Sequence, residues 1–259
     1  MAAFNKNEVI LEKVKQASLY DLEDGKLLHR LTSIEDPSLN TSSEKEVVSD
    51  AQGETITEIY RAKKATFSGS NSLFSLDLAA SQFGANKEFA SADNKIVNYI
   101  AETVAISNGQ AKLSRTPVEN SIKYIYIIEG GEIGESYAVG ATATETEAVV
   151  AADGTITVPT NVTEGKVYVE YPYESEEAVR VVNKAGEYPV AGKLVILALF
   201  RDKCTDKTIL GSIICPKAKL NPESVDLSLT PTGKHAFEYT MMKDFCSDDD
   251  KLFEIVLSK

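Results

Sequence analysis

His29 and His235 are the two imidazoles of this 259-residue chain, and any Ser-His-Asp or Cys-His nucleophile would have to use one of them as its base. Neither stands in the local signature that accompanies such nucleophiles. His29 lies in an alternating strand pattern and His235 follows the turn Pro231-Thr232-Gly233, so both read as ordinary surface or strand residues. Cys204, Cys215 and Cys246 are odd in number and far apart, which fits neither a disulfide framework nor a CxxC zinc site. They read as reduced thiols acting as small buried hydrophobes. Gly130-Gly131-Glu132-Ile133-Gly134 lies between two strands, with no helix opening on Lys-Ser or Lys-Thr behind it, and reads as a hairpin loop instead of a phosphate cradle. Ser247-Asp248-Asp249-Asp250 lacks the register and distant glutamate of a calcium loop and reads as a solvated turn. Tyr124 with Tyr126, and Tyr168 with Tyr171 and Tyr173, could form an aromatic strip for sugars or bases. Alternating tyrosines are more commonly cross-strand contacts, and the absence of Trp weakens sugar stacking. Nothing selects a pair for glycoside hydrolysis from the 39 acidic residues. The expectation is a protein that is not an enzyme, with no cofactor and no metal.

A formal charge of −12 argues against a tight grip on nucleic acid, whose backbone is held by Lys and Arg displacing counterions. The longest apolar run is far shorter than the roughly 20 residues that span a bilayer, and the start, MAAFNKNEV, lacks the basic and apolar regions of an export signal. A soluble chain with no export signal is expected, with Asn40-Thr41-Ser42 and Asn161-Val162-Thr163 as chance matches to the glycosylation sequon.

The elements that must position these residues are mostly strands. Val9 to Ile34 reads as a long hairpin turning at Asp24-Gly25. From Glu35 to Glu54 the composition becomes polar and acidic, which predicts a long loop. Thr55 to Phe67 returns to strand character. A helix is predicted from Ser72 to Phe83, with Leu73, Leu76, Ala80 and Phe83 on one face, Asn71 or Ser70 capping its start and Gly84 its end. Ile96 to Ile106 is strand or irregular. Short strands follow at Lys123 to Ile128, Ser136 to Val139, Ala148 to Ala151, Thr155 to Val158 and Lys166 to Tyr173, separated by glycine turns. Such spacing indicates a small sandwich or barrel, either an inserted module from about Thr116 to Ser175 or an extension of the main sheet. Strands at Ala178 to Val182, Leu194 to Phe200, Ile209 to Ile214, Ser224 to Leu229, His235 to Thr240 and Leu252 to Leu257 complete the chain. The fold class expected is mainly β: an antiparallel β-sandwich or barrel with one packed α-helix and an inserted small Ig-like β module, divided as 1–115, 116–175 and 176–259.

Two stretches resemble bacteriophage tail tube (major tail) proteins. Ala65-Thr66-Phe67-Ser68-Gly69-Ser70-Asn71-Ser72-Leu73, leading into Leu76-Asp77-Leu78-Ala79-Ala80, resembles their strand-turn-helix. Cys215-Pro216-Lys217-Ala218-Lys219-Leu220, followed by Leu227-Ser228-Leu229-Thr230-Pro231-Thr232 and Phe237-Glu238-Tyr239, resembles their final strands. The two cover the N-terminal and C-terminal thirds and leave Thr116 to Ser175 unaccounted for. The resemblance implies a virion structural protein that self-assembles as hexameric rings, stacked into a hollow tube for genome delivery. It implies as partners further copies of the chain, tape measure, sheath or terminator proteins, and DNA that passes without being held. An acidic lumen would favour that passage, since like charge minimises adhesion. Glu35, Asp36, Pro37, Asn40, Glu44, Glu46 and Asp50 then mark a candidate stacking arm, with a disordered surface loop as the alternative. A capsid decoration or head-tail connector protein is the alternative within the virion. A β-sandwich adhesion or glycan-binding protein, and after it a β-sandwich hydrolase, are the alternatives outside it.

Overall fold

Strand-forming alternation runs through most of the chain. The computed structural model, which describes residues 8–203, 206–222, 230 and 233–258, is mainly β, with antiparallel sheets and one helix. Two compact units are present: one joins 1–87 to 181–259, and the other is 88–180.

In the first unit, β1 (Val9–Asp21) and β2 (Leu27–Leu31) form the expected hairpin, with Ala17 opposite Leu31 and Leu19 opposite His29. β3 (Ile34–Ser49) and β4 (Thr55–Asn71) form a second, much longer hairpin. The predicted loop from Glu35 to Glu54 is thus mostly strand. Its polar composition misled because much of this strand faces water on both sides, so no apolar alternation marks it.

Helix α1 (Leu76–Phe83) begins later than predicted. β4 stays in the sheet through Asn71, so the chain cannot turn into a helix at Ser72; the cap is Ser75, whose Oγ accepts the Leu78 N–H at 3.2 Å. Gly84 ends it at φ +67° as expected, and a Cβ there would overlap the Tyr188 backbone. The later start also changes the buried face, which is Leu78, Ala79, Ala80 and Gln82, while Leu73 and Leu76 are exposed.

Crossing to the second unit, β5 (Glu88–Phe89) is followed by β6 (Ile96–Ala105), β7 (Gln110–Lys112), β8 (Tyr124–Glu129), β9 (Glu132–Val139), β10 (Glu147–Val150), β11 (Thr155–Thr157), β12 (Lys166–Ser175) and β13 (Val179–Arg180). Seven of these form one path, β6-β12-β8-β9-β10-β11-β7, around a core that includes Ile125, Ala148, Ile156, Val167, Val169 and Tyr171. The unit is wider than the predicted 116–175 because β6 pairs with β12 along its whole length. Its ends meet in the β5–β13 pair, Glu88 opposite Arg180. Gly130 and Gly131, both at positive φ, make the β8–β9 turn. Tyr126 lies opposite Tyr168 with rings 6.3 Å apart, as a cross-strand contact should. Tyr171 does not join a strip: it is buried, donating to Glu102 and accepting the Arg115 N–H at 3.2 Å.

The first unit resumes with β14 (Ala191–Asp202), β15 (Thr208–Leu220), β16 (His235–Met241) and β17 (Glu254–Ser258). Its sheet, nearly closed into a barrel, runs β2-β1-β14-β15-β16-β4-β3, with β17 beside β15. Leu194 and Ile196 of the apolar run point into a core with Ala17, Leu19, Phe67, Leu78, Cys215, Phe237 and Tyr239. The predicted strand Ser224 to Leu229, Pro231-Thr232 and Cys204 lie outside the described residues.

Both histidines are buried, contrary to a surface reading. His29 Nδ1 lies 2.7 Å from Ser81 Oγ and its Nε2 2.5 Å from the Tyr239 hydroxyl. His235 Nε2 donates to Gln82 Oε1 at 2.7 Å, and Gln82 in turn donates to the Ala236 carbonyl at 2.9 Å. Polar side chains were needed at these positions because they bind the helix to β2 and β16 across an otherwise apolar contact.

Candidate assembly site

From Asn40 to Lys64 every residue of the β3–β4 hairpin is exposed, so neither of its faces is covered. Below Asn40, Leu39 lies opposite Phe67 and joins the core, so the hairpin is an arm anchored at one end only. Nothing in the sequence of 40–64 could sustain a core: five carboxylates alternate with four basic residues and a few scattered apolar side chains. A two-stranded ribbon alone in water is marginal. Here it is held by cross-strand pairs: Lys45 to Glu58, Glu46 to Arg61 at 3.2 Å and Glu44 to Lys64 at 3.3 Å. Each is solvent-exposed and contributes little individually.

Opposed residues of an antiparallel pair share a face. Lys45 opposite Tyr60 and Val47 opposite Glu58 place Tyr60 and Val47 on one face, with Ile56 in the same alternation. Glu46 opposite Ile59 and Val48 opposite Thr57 place Ile59 and Val48 on the other. Ile56 and Tyr60 are 66% and 63% exposed, large for apolar side chains with no covering layer. Bulges at Ser42/Glu44 and Val48/Ser49, the first beside Ala62 at φ +47°, interrupt the ladder and twist the ribbon.

The arm ends in a compact turn. Asp50 Oδ1 accepts the N–H groups of Gln52 at 2.9 Å and Glu54 at 2.8 Å, and the Gly53 N–H reaches the Asp50 carbonyl at 3.1 Å. Gly53, at φ +87°, supplies the left-handed residue this requires.

Of the candidate arm residues, Asn40, Glu44, Glu46 and Asp50 lie along the arm. Glu35, Asp36 and Pro37 lie at its base, where β3 bulges before Ser38 and Asp36 takes φ +49°. There Lys234 binds Glu35 at 2.6 Å and Asp36 at 3.4 Å, and this cation holds the Glu35 carboxyl below its usual range. The other half of the arm, with Ile56, Glu58, Tyr60 and Arg61, was missed as an assembly element. The available signal was length: Thr55 to Phe67 is a long strand whose first half has no buried partner.

Among the described residues no group of three or more His, Cys, Asp or Glu is placed to hold a metal ion, and no helix is long and apolar enough to cross a membrane. A family model described as the YomU/Tube protein family matches residues 9–254. No curated protein matches the chain.

Proposed function

The chain belongs to the YomU/Tube protein family, and from that premise we propose that it is the subunit of a phage tail tube, a virion structural protein that assembles with copies of itself. In this reading the copies close into rings, hexameric as in the tail tube proteins it resembles, and the rings stack into a conduit for the genome. Tape measure, sheath or terminator proteins would meet the ends and outside of such a tube, and DNA would pass through it unheld. No residue performs a reaction. The mechanism is geometric, with sheet edges and exposed faces satisfied by neighbours.

The observation that carries this reading is the arm. An exposed ribbon with uncovered Ile56 and Tyr60 is costly in a monomer, and a neighbouring copy that covers it removes the cost. The test is truncation: residues 43–63, between the paired Ser42 and Lys64, are replaced by Asn-Gly, a tight hairpin turn. Sedimentation velocity should find the full chain as large polymers and the truncated chain as a folded monomer with the parent's unfolding midpoint. Polymers of equal size from the truncated chain would remove the arm from assembly.

A further inference from the structure

Between β1, β2 and the start of β3 lies a groove of about 560 Å³, lined by Lys13, Lys15, Gln16, Arg30, Thr32 and Ser72 among others. Lys13, Lys15 and Arg30 are exposed, and among the described residues none of the three forms an ion pair or a side-chain hydrogen bond. The two nearest carboxylates in sequence are already engaged: Glu12 by Arg201 at 3.1 Å and Glu35, on the groove wall, by Lys234 at 2.6 Å. Three unsatisfied cations therefore converge in one groove of a chain whose net charge is −12.

The arm carries the complementary charge at its far end. Glu44, Glu46 and Glu58 are paired within the ribbon, and the basic Arg61, Lys63 and Lys64 lie toward its base. Asp50 and Glu54, at the tip, have no cation within ion-pair distance among the described residues. The tip cannot reach the groove of its own chain. Glu35 lines the groove, and β3 carries the chain as paired strand from Glu35 to Ser49, next to Asp50, a span of roughly 50 Å at about 3.3 Å per residue.

We propose that the groove at Lys13, Lys15 and Arg30 receives the Asp50–Glu54 arm tip of a second copy of this chain. This rests on the self-assembly reading above and names the surface that meets the arm. The contact joins different patches on the two copies, so each copy offers a free tip and a free groove to the next. Such a head-to-tail contact continues into an open stack unless a rotation closes it. It also bounds the geometry: groove-to-groove separation equals the tip-to-groove span, so the axial repeat of the polymer is at most roughly 50 Å.

Charge reversal tests the contact in the full-length chain. K15E/R30E and D50N/E54K, the latter keeping an Oδ1 at position 50 to accept the turn N–H groups, should each lower the polymerised fraction by about tenfold or more in sedimentation, because complementary charge is lost and like charges then face each other. Both should keep the unfolding midpoint of the parent. The chain combining all four substitutions should polymerise again, since groove and tip then carry opposite charge once more. If the parent polymerises and either reversal polymerises equally well, or the fourfold variant is not rescued, the groove does not receive the tip. Retention of short duplex DNA by the parent but not by K15E/R30E, with polymerisation intact, would assign the groove to phosphate and overturn the proposal. A parent that never polymerises contradicts the tube function itself.

Discussion

His29 is the residue whose chemistry is most constrained by the fold. Burial lowers its pKa from 6.5 to about 4, with the Asp77 carboxylate opposing the shift. The ring is therefore neutral when folded and titrates near 6.5 when unfolded. Between about 6.5 and about 4 the unfolded chain binds the extra proton, so the His29 contribution to stability is complete above 6.5 and falls with pH through that window. Its size is on the order of 3 kcal/mol. Burial lowers His235 as well, and adds to the trend in the same direction. Urea unfolding at pH 7 and pH 4.5 should show the loss, and His29→Gln should flatten it; an equal pH dependence in the variant would mean that carboxylates alone set it. Tyr239→Phe, which removes one hydroxyl partner of His29, should cost about 1–3 kcal/mol at pH 7 in the same assay. Neither histidine's burial was legible in the sequence, because the helix that covers them packs across the strands from elsewhere in the chain. Cys215 was legible: it is a small core residue, and burial pushes its thiol up to about 11.

Among the elements, the core strands could be read directly and the arm could not. Leu194 to Phe200, the β1–β2 hairpin and the short strands of 88–180 show apolar alternation or glycine turns because one face of each meets a core. The arm has no such face, so its residues follow charge pairing across two strands, a pattern visible only once Glu46 and Arg61 are known to be neighbours. The helix was legible in its end, through Gly84, but not in its start, because strand pairing of Asn71 with His235 and Ile34 outlasts the helical periodicity. Ser75→Ala should cost about 1 kcal/mol of stability by removing the cap. On the arm, Ile56→Ser with Tyr60→Ser should leave the unfolding midpoint within about 0.5 kcal/mol of the parent while reducing polymer in light scattering. A large loss of stability with polymer unchanged would instead make those side chains part of the monomer's own packing.

For the whole molecule, the total charge conceals an uneven distribution. Residues 88–180 carry fifteen of the 39 acidic residues but six of the 27 basic ones. Most of the −12 thus belongs to the inserted unit, and the first unit is close to neutral, so the chain's overall acidity does not by itself make an acidic lumen. The inserted unit also has its own core, and its ends are joined by the Glu88–Arg180 pair. Residues 88–180 produced alone should therefore unfold in a single cooperative thermal transition, and a chain with Lys87 linked to Val181 through a few glycines should keep the helix and sheet signals of the first unit. Loss of folding in both would show that the two cores are not independent. The account as a whole depends on polymerisation through exposed surfaces of the first unit. Negative-stain electron microscopy of the purified full-length chain at high concentration tests this most directly: hollow tubes with an axial repeat of roughly 50 Å or less are predicted, and a field of monomers, with no rings or tubes, would contradict it.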